Sequence, residues 1–140
     1  MKKFLSAALV ALVVTFATNI CAANDYDNDP DYVYVMAHGQ GIVYLYIRSI
    51  DVQEYKPPHY QIAGTFVHDY DFVDGRKERW FSVVIRYNWY TKETFSRDKN
   101  GYWQKDEIGK PDDRFSAYAS HRIFADALFR AAYGMDFYGY

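Results

Sequence analysis

Hydrophobic and polar positions alternate with period two over most of residues 32–106, and the spacing lengthens to a helical one only towards the C-terminus. Val33 and Val35 face one way and Tyr32 and Tyr34 the other, which predicts a strand. Residues 37–41, Ala-His-Gly-Gln-Gly, form a glycine-bearing reversal, after which Val43, Leu45 and Ile47 alternate with Tyr44, Tyr46 and Arg48. The two segments make a hairpin. If the aliphatic positions pack on the core, four tyrosines stand together on the other face, because cross-strand neighbours lie about 5 Å apart.

Pro57-Pro58 interrupts the pairing and predicts an extended connection, since proline lacks the donor and restricts the residue before it. In the next strand Tyr60, Ile62 and Phe66 share one face and Gln61, Ala63 and Thr65 the other, up to an acidic loop over residues 69–77. The strongest alternation runs from about Arg79 to Tyr90, with Phe81, Val83, Ile85, Tyr87 and Trp89 on one side, and predicts a central strand. Residues 93–97 and 102–106 flank Asp98-Lys99-Asn100-Gly101, a turn in which Asn-Gly supplies positive φ. Their polar faces predict an edge hairpin.

The last element is a helix that begins after Pro111, with Asp112 or Asp113 as N-cap, and ends at Gly134. Ala117, Phe124, Leu128 and Ala131 fall on one stripe, opposite a charged ladder of Arg122, Asp126 and Arg130. Phe115, Ile123 and Phe129 leave more apolar surface than one contact needs. Either Phe137 and Tyr138 fold back over it, or a partner covers it. The expected fold class is α+β: an antiparallel meander of five or six strands packed by one C-terminal helix.

Residues 1–23 change the picture of where this domain works. Lys2 and Lys3, an apolar run over residues 4–17 and the small-x-small site Cys21-Ala22-Ala23 read as a cleavable secretory signal, cut after Ala23. Ile20 stands where a lipoprotein signal places a small residue before its cysteine. Removing 23 of the 140 residues leaves 117, one domain with no further membrane-crossing segment. It also removes the single cysteine, so neither a disulfide nor a thiolate-bound metal is available to the exported chain. Loss of Lys2 and Lys3 takes the basic count from 16 to 14 against 18 acids, a net charge of about −4, which argues against nucleic acid as a partner.

Residues 24–31 are acidic and read as a disordered linker ahead of the domain at 32–140. Their alternating acids resemble the start of a calcium loop, but Pro30 occupies the sixth position, where glycine is needed. Asp69, Asp71 and Asp74 have neither EF-hand nor repeat spacing. No metal and no cofactor is expected.

Four histidines, His38, His59, His68 and His121, lie in separate elements, none within ligand spacing of another. Ser120 and His121 are neighbours in a helix, where successive side chains diverge, so they do not make a nucleophile and its base. Asp106-Glu107 and Asp112-Asp113 sit at a turn and a helix start, positions that favour acids for capping. His38-Gly39-Gln40-Gly41 leads into a strand rather than a helix and is a turn, not a phosphate loop.

Rings are the remaining resource: of 28 aromatic residues, Phe4 and Phe16 leave with the signal and 26 stay. Phe66, Phe81, Tyr87, Trp89 and Phe124 are assigned to the core by their shared faces. Tyr32, Tyr34, Tyr44, Tyr46, Trp80 and Trp103 remain as candidate partner-binding residues, because their strand neighbours already occupy the inward side.

The run from Ile42 to Val52 (Ile-Val-Tyr-Leu-Tyr-Ile-Arg-Ser-Ile-Asp-Val), the phrase Pro57-Pro58-His59-Tyr60-Gln61-Ile62, the segment Tyr87-Asn88-Trp89 and the ending Ala132-Tyr133-Gly134-Met135-Asp136-Phe137-Tyr138-Gly139 carry a resemblance. They look like a group of small exported proteins of anaerobic Firmicutes with Gram-negative-type envelopes. The layout is also faintly similar to the surface-adhesin E-like family, whose later-strand cysteine this chain lacks. The resemblance implies export, the meander fold and adhesion. Together with the rings it points to a non-catalytic secreted or envelope module that binds a protein or glycan on an aromatic sheet face. Two alternatives are a small envelope hydrolase, with His68 or His121 as base and an acid from residues 69–74, and an oligomeric structural subunit.

Overall fold

The computed structural model describes residues 25–72, 75–108 and 117–138, and not the side chains of residues 71, 72 and 117–119. The signal and its cut after Ala23, the turn at Asp74, the N-caps Asp112 and Asp113, the side chain of Ala117 and the whole of Phe115 lie outside this set. Six strands form one antiparallel sheet in sequence order: β1 (Tyr32–His38), β2 (Gly41–Lys56), β3 (His59–Phe72), β4 (Gly75–Asn88), β5 (Glu93–Arg97) and β6 (Trp103–Lys105). A single helix, α1 (Ala117–Tyr133), covers one face. The chain is the α+β meander that its alternation predicts.

β3 and β4 are central and pair without interruption from His59 opposite Asn88 to Phe72 opposite Gly75. The loop expected over residues 69–77 is therefore mostly strand. Asp69 and Arg76 explain why: across the ladder Arg76 Nε and Nη2 donate to the two carboxylate oxygens at 2.7 and 2.8 Å. Such a two-point ion pair lets charged residues extend the strands beyond the apolar stretch.

β2 also exceeds its expected end near Arg48. Tyr46 lies opposite Thr65 and Asp51 opposite Ala63, so residues 47–50 bulge out against Gly64 alone. The opening in the ladder is patched by Ser49, whose Oγ accepts from the Thr65 amide at 2.7 Å and donates to the Tyr46 carbonyl at 2.6 Å. Gly64 is small for a reason, because a Cβ there would run into the Leu128 side chain and come within 3.2 Å of Ile50. Beyond the bulge β2 continues to Lys56, opposite His59, so Pro57 and Pro58, joined by a cis peptide bond, make a tight reversal and not an extended connection.

The core lies between α1 and the sheet. Val43, Leu45, Ile62, Phe66, Ile85 and Tyr87 meet Ala125, Leu128 and Phe129, and Phe137 closes the end. Phe81, Trp89 and Phe124 pack against this cluster, as the shared faces predict. The buried Tyr87 hydroxyl donates to the Ala125 carbonyl at 2.9 Å, which satisfies the one polar atom its ring brings inside. The helix is turned from the expected stripe: Ala125 is buried while Ala131 is exposed. Asp126, assigned to a charged ladder, is instead half-buried and accepts from the Tyr138 amide at 2.9 Å. That bond anchors the returning tail, and Phe137 is fully buried against Phe129 and Tyr87. Gly134 ends the helix at φ +73°, its amide donating to the Arg130 carbonyl at 2.7 Å. No helix among the described residues is long and apolar enough to cross a membrane.

Candidate functional site

No helix among the described residues lies over the opposite face of the sheet. Strand register puts Tyr32 beside Tyr46 and Tyr34 beside Tyr44 there, and Trp80 opposite Val67, which is itself opposite Tyr44. The rings touch. Tyr32 and Tyr46 stack with centroids 5.1 Å apart, and Trp80 meets them edge-on at 6.2 and 6.3 Å. Tyr34 meets Tyr44 edge-on at 6.4 Å. These are favourable aromatic geometries, so the patch is a packed surface and not a set of loose side chains.

Exposure separates the members. Tyr34 and Trp80 are 57 % and 46 % exposed, and Tyr32 and Tyr46 are half-buried. Tyr44 is completely buried and so is not an open contact residue, although alternation places it on the outward face. Its cover comes from the acidic segment, which is a second correction: residues 25–31 are not a disordered linker but a turn laid on the sheet. Tyr26 sits 4.5 Å from Tyr32 and 5.4 Å from Tyr44, ring to ring. The Tyr44 hydroxyl donates to Asp27 at 2.7 Å, and the Tyr26 hydroxyl to Glu78 at 2.7 Å.

Charges fasten the turn at both ends. Arg76, already held by Asp69, also pairs with Asp25 at 3.0 Å, and Arg48 pairs with Asp31 at 2.8 Å. The Ile47 amide donates to the Asp31 carbonyl at 2.8 Å. Burial, then the bond to Glu78, pushes the Tyr26 hydroxyl well above its ordinary value. Burial and the neighbouring Tyr46 also raise the Tyr32 hydroxyl above its ordinary value. Both hydroxyls stay protonated and can donate or accept. Tyr26 is the participant that sequence reasoning misses; its one signal is a large ring in a segment otherwise built for water.

Trp103 does not join the cluster. It lies on β6 at the other end of the same face, with the Arg86 guanidinium 3.9 Å and that of Arg97 4.9 Å from its ring centroid. Two cations thus occupy the ring as partners within the fold. Five of the six expected residues form one patch, four of them with surface open to solvent.

The histidines lie outside this patch. His68 is buried on the helix-covered face, whereas Asp69 is turned to the reverse face and engaged by Arg76, so these two make no acid–base pair. Asp71 and Asp74 have no described side chains. His121 pairs with Asp106 at 3.5 Å, an acid from after β6 and not from residues 69–74. Asp106 is buried, accepts from Ser96 Oγ at 3.1 Å and donates its amide to the Thr94 carbonyl at 2.9 Å. This link fastens α1 to β5. Among the described residues no three metal-ligating side chains gather in one place. Comparison with protein-family models, with curated proteins and with solved structures finds no match.

Proposed function

We propose that this protein is an exported, non-catalytic binding module that holds a protein or glycan partner on the patch of Tyr32, Tyr34, Tyr46 and Trp80. The carrying observation is the Tyr32–Tyr46 stack with Trp80 edge-on beside it, on a sheet face that no helix among the described residues covers. Flat rings with polar tips supply contact area at little conformational cost, and Trp and Tyr are the residues that dominate binding energy at such surfaces. The patch is rimmed by Arg48, Arg76 and Glu78, which supply directional polar contacts around an apolar centre. Export rests on the leader-like residues 1–23, and the adhesin-like character on the sequence resemblance.

The test compares wild type with Tyr34→Ala and Trp80→Ala for retention on envelope polysaccharide and on envelope protein prepared from the native cell. Both variants should keep the wild-type melting temperature and lose retention at least tenfold. Unchanged retention of both variants would remove the patch as the binding surface.

A further inference from the structure

On the helix-covered face, at the end where β1 turns into β2, a second and chemically different site is built. His38 ends β1 and Gly41 begins β2, and Gly41 lies opposite Tyr70 while Val43 lies opposite His68. Gly41 leaves room for an imidazole: a Cβ there would fall 2.8 Å from His68 Nε2. The same nitrogen lies 3.2 Å from the His38 carbonyl, and the Tyr70 ring sits 3.7 Å from the His68 ring. His68 is therefore held on three sides and is only 6 % exposed. The His38 ring lies 5.7 Å away.

These groups border a cavity of about 350 Å³ between the sheet and α1, floored by Val43, Phe81 and Phe124 and edged by His38, His68 and Arg79. The volume falls within the range of small-molecule sites, about 300–1,000 Å³. Among the described residues no carboxylate lines it. Arg79 has no acidic partner among the described residues, and the nearest acid in sequence to His68, Asp69, is held by Arg76 on the reverse face. The Arg79 guanidinium beside two imidazoles and an apolar floor, with no counter-ion among the described residues, makes a site with one uncompensated charge.

We infer that this cavity binds a small organic anion, a monocarboxylate whose head is held by Arg79 with the histidines and whose short apolar tail rests on Val43, Phe81 and Phe124. A carboxylate matches the guanidinium fork in two bonds, and the floor of Val43, Phe81 and Phe124 suits a short apolar tail, with the Ser120 and Tyr70 side chains at its border. The inference is independent of the tyrosine patch, which lies on the other face of the sheet.

Calorimetric titration of the purified protein with phenylacetate, and with phenylacetamide as its uncharged counterpart, tests this. Phenylacetate should bind at least tenfold more tightly than the amide, the difference one charge-assisted hydrogen bond supplies. Arg79→Gln should reduce phenylacetate to the level of the amide without shifting the melting temperature, and Trp80→Ala should leave both affinities unchanged. A series from butyrate to octanoate should gain affinity with tail length until the cavity is filled. Equal binding of acid and amide, no binding of any carboxylate up to about 10 mM, or full binding by Arg79→Gln would overturn the assignment.

Discussion

The Tyr44 hydroxyl donates to the Asp27 carboxylate at 2.7 Å, tying a fully buried strand residue to a segment whose composition is that of a solvated tail. A hydrogen bond to a charged group contributes about 1.5–3 kcal/mol, and the exposed position of Asp27 puts this one at the lower end. Asp27→Ala should cost about 1.5 kcal/mol in urea unfolding. It should also raise the binding of a hydrophobic dye, as Tyr26 loosens from the rings beneath it. An unchanged midpoint and unchanged dye binding would mean the turn contributes no cover.

Truncating two tyrosines of the same face should give opposite results. Tyr34 is 57 % exposed, and Tyr34→Ala should stay within about 0.5 kcal/mol of wild type. Tyr44 has no exposed surface, and Tyr44→Ala should cost about 3–5 kcal/mol, as truncation of a buried aromatic does. Equal losses in chemical denaturation would contradict the burial that separates them.

Gly64 answers the four-residue bulge of β2. A methyl group there collides with the side chain of Leu128, which is fully buried in the core. Gly64→Ala should destabilise by about 1–3 kcal/mol through overpacking. The double variant with Leu128→Ala should recover part of that loss relative to Leu128→Ala alone, and strict additivity in a double-mutant cycle would count against the contact.

The link between His121 and Asp106 predicts a pH dependence. The bond with Asp106 raises the His121 imidazole above its ordinary value, against the opposing pull of partial burial. Its contribution is complete below about pH 6.5, the unfolded value, and fades as pH rises through the folded one. Burial pulls the Asp106 carboxyl upward, but bonds with His121, Ser96 and Thr94 outweigh it and hold the group below its ordinary value. That contribution is present above about pH 4 and disappears as pH falls through the lowered folded value. Wild type should therefore lose stability as pH rises above about 6.5, and His121→Gln should flatten that slope. Parallel thermal-melting curves for the two proteins over this range would show that the link does not contribute.

What the alternation makes legible is the sheet itself. Phe81, Val83, Ile85 and Tyr87 share a face in the central β4, and the Asp98 to Gly101 turn joins β5 to β6, because both signals are local in the chain. The bulge in β2 is not local: it depends on Gly64, Leu128 and Ile50 meeting across three elements. The length of β3 and β4 likewise depends on the pairing of Asp69 with Arg76 across the ladder, which composition reads as loop. For the site, period two puts five of the rings on one face, and strand order then sets Trp103 apart with Arg86. The burial of Tyr44 is unreadable for the same reason as the bulge, since its cover, Tyr26, arrives from a segment that looks made for water.

Val67 has no exposed surface, although it lies on the face that no helix among the described residues covers. Tyr44 lies opposite it and is itself covered by Tyr26, so a ligand reaching Tyr44 has to evict Tyr26 and break the bond between Tyr44 and Asp27. The turn is thereby an intramolecular competitor, present at every protein concentration. Observed affinity for such a ligand equals the intrinsic affinity multiplied by the fraction of molecules in which the turn has lifted. A ligand confined to Tyr34 and Trp80 meets no such competition, so loosening the turn discriminates between the two modes by strengthening one and leaving the other as it was.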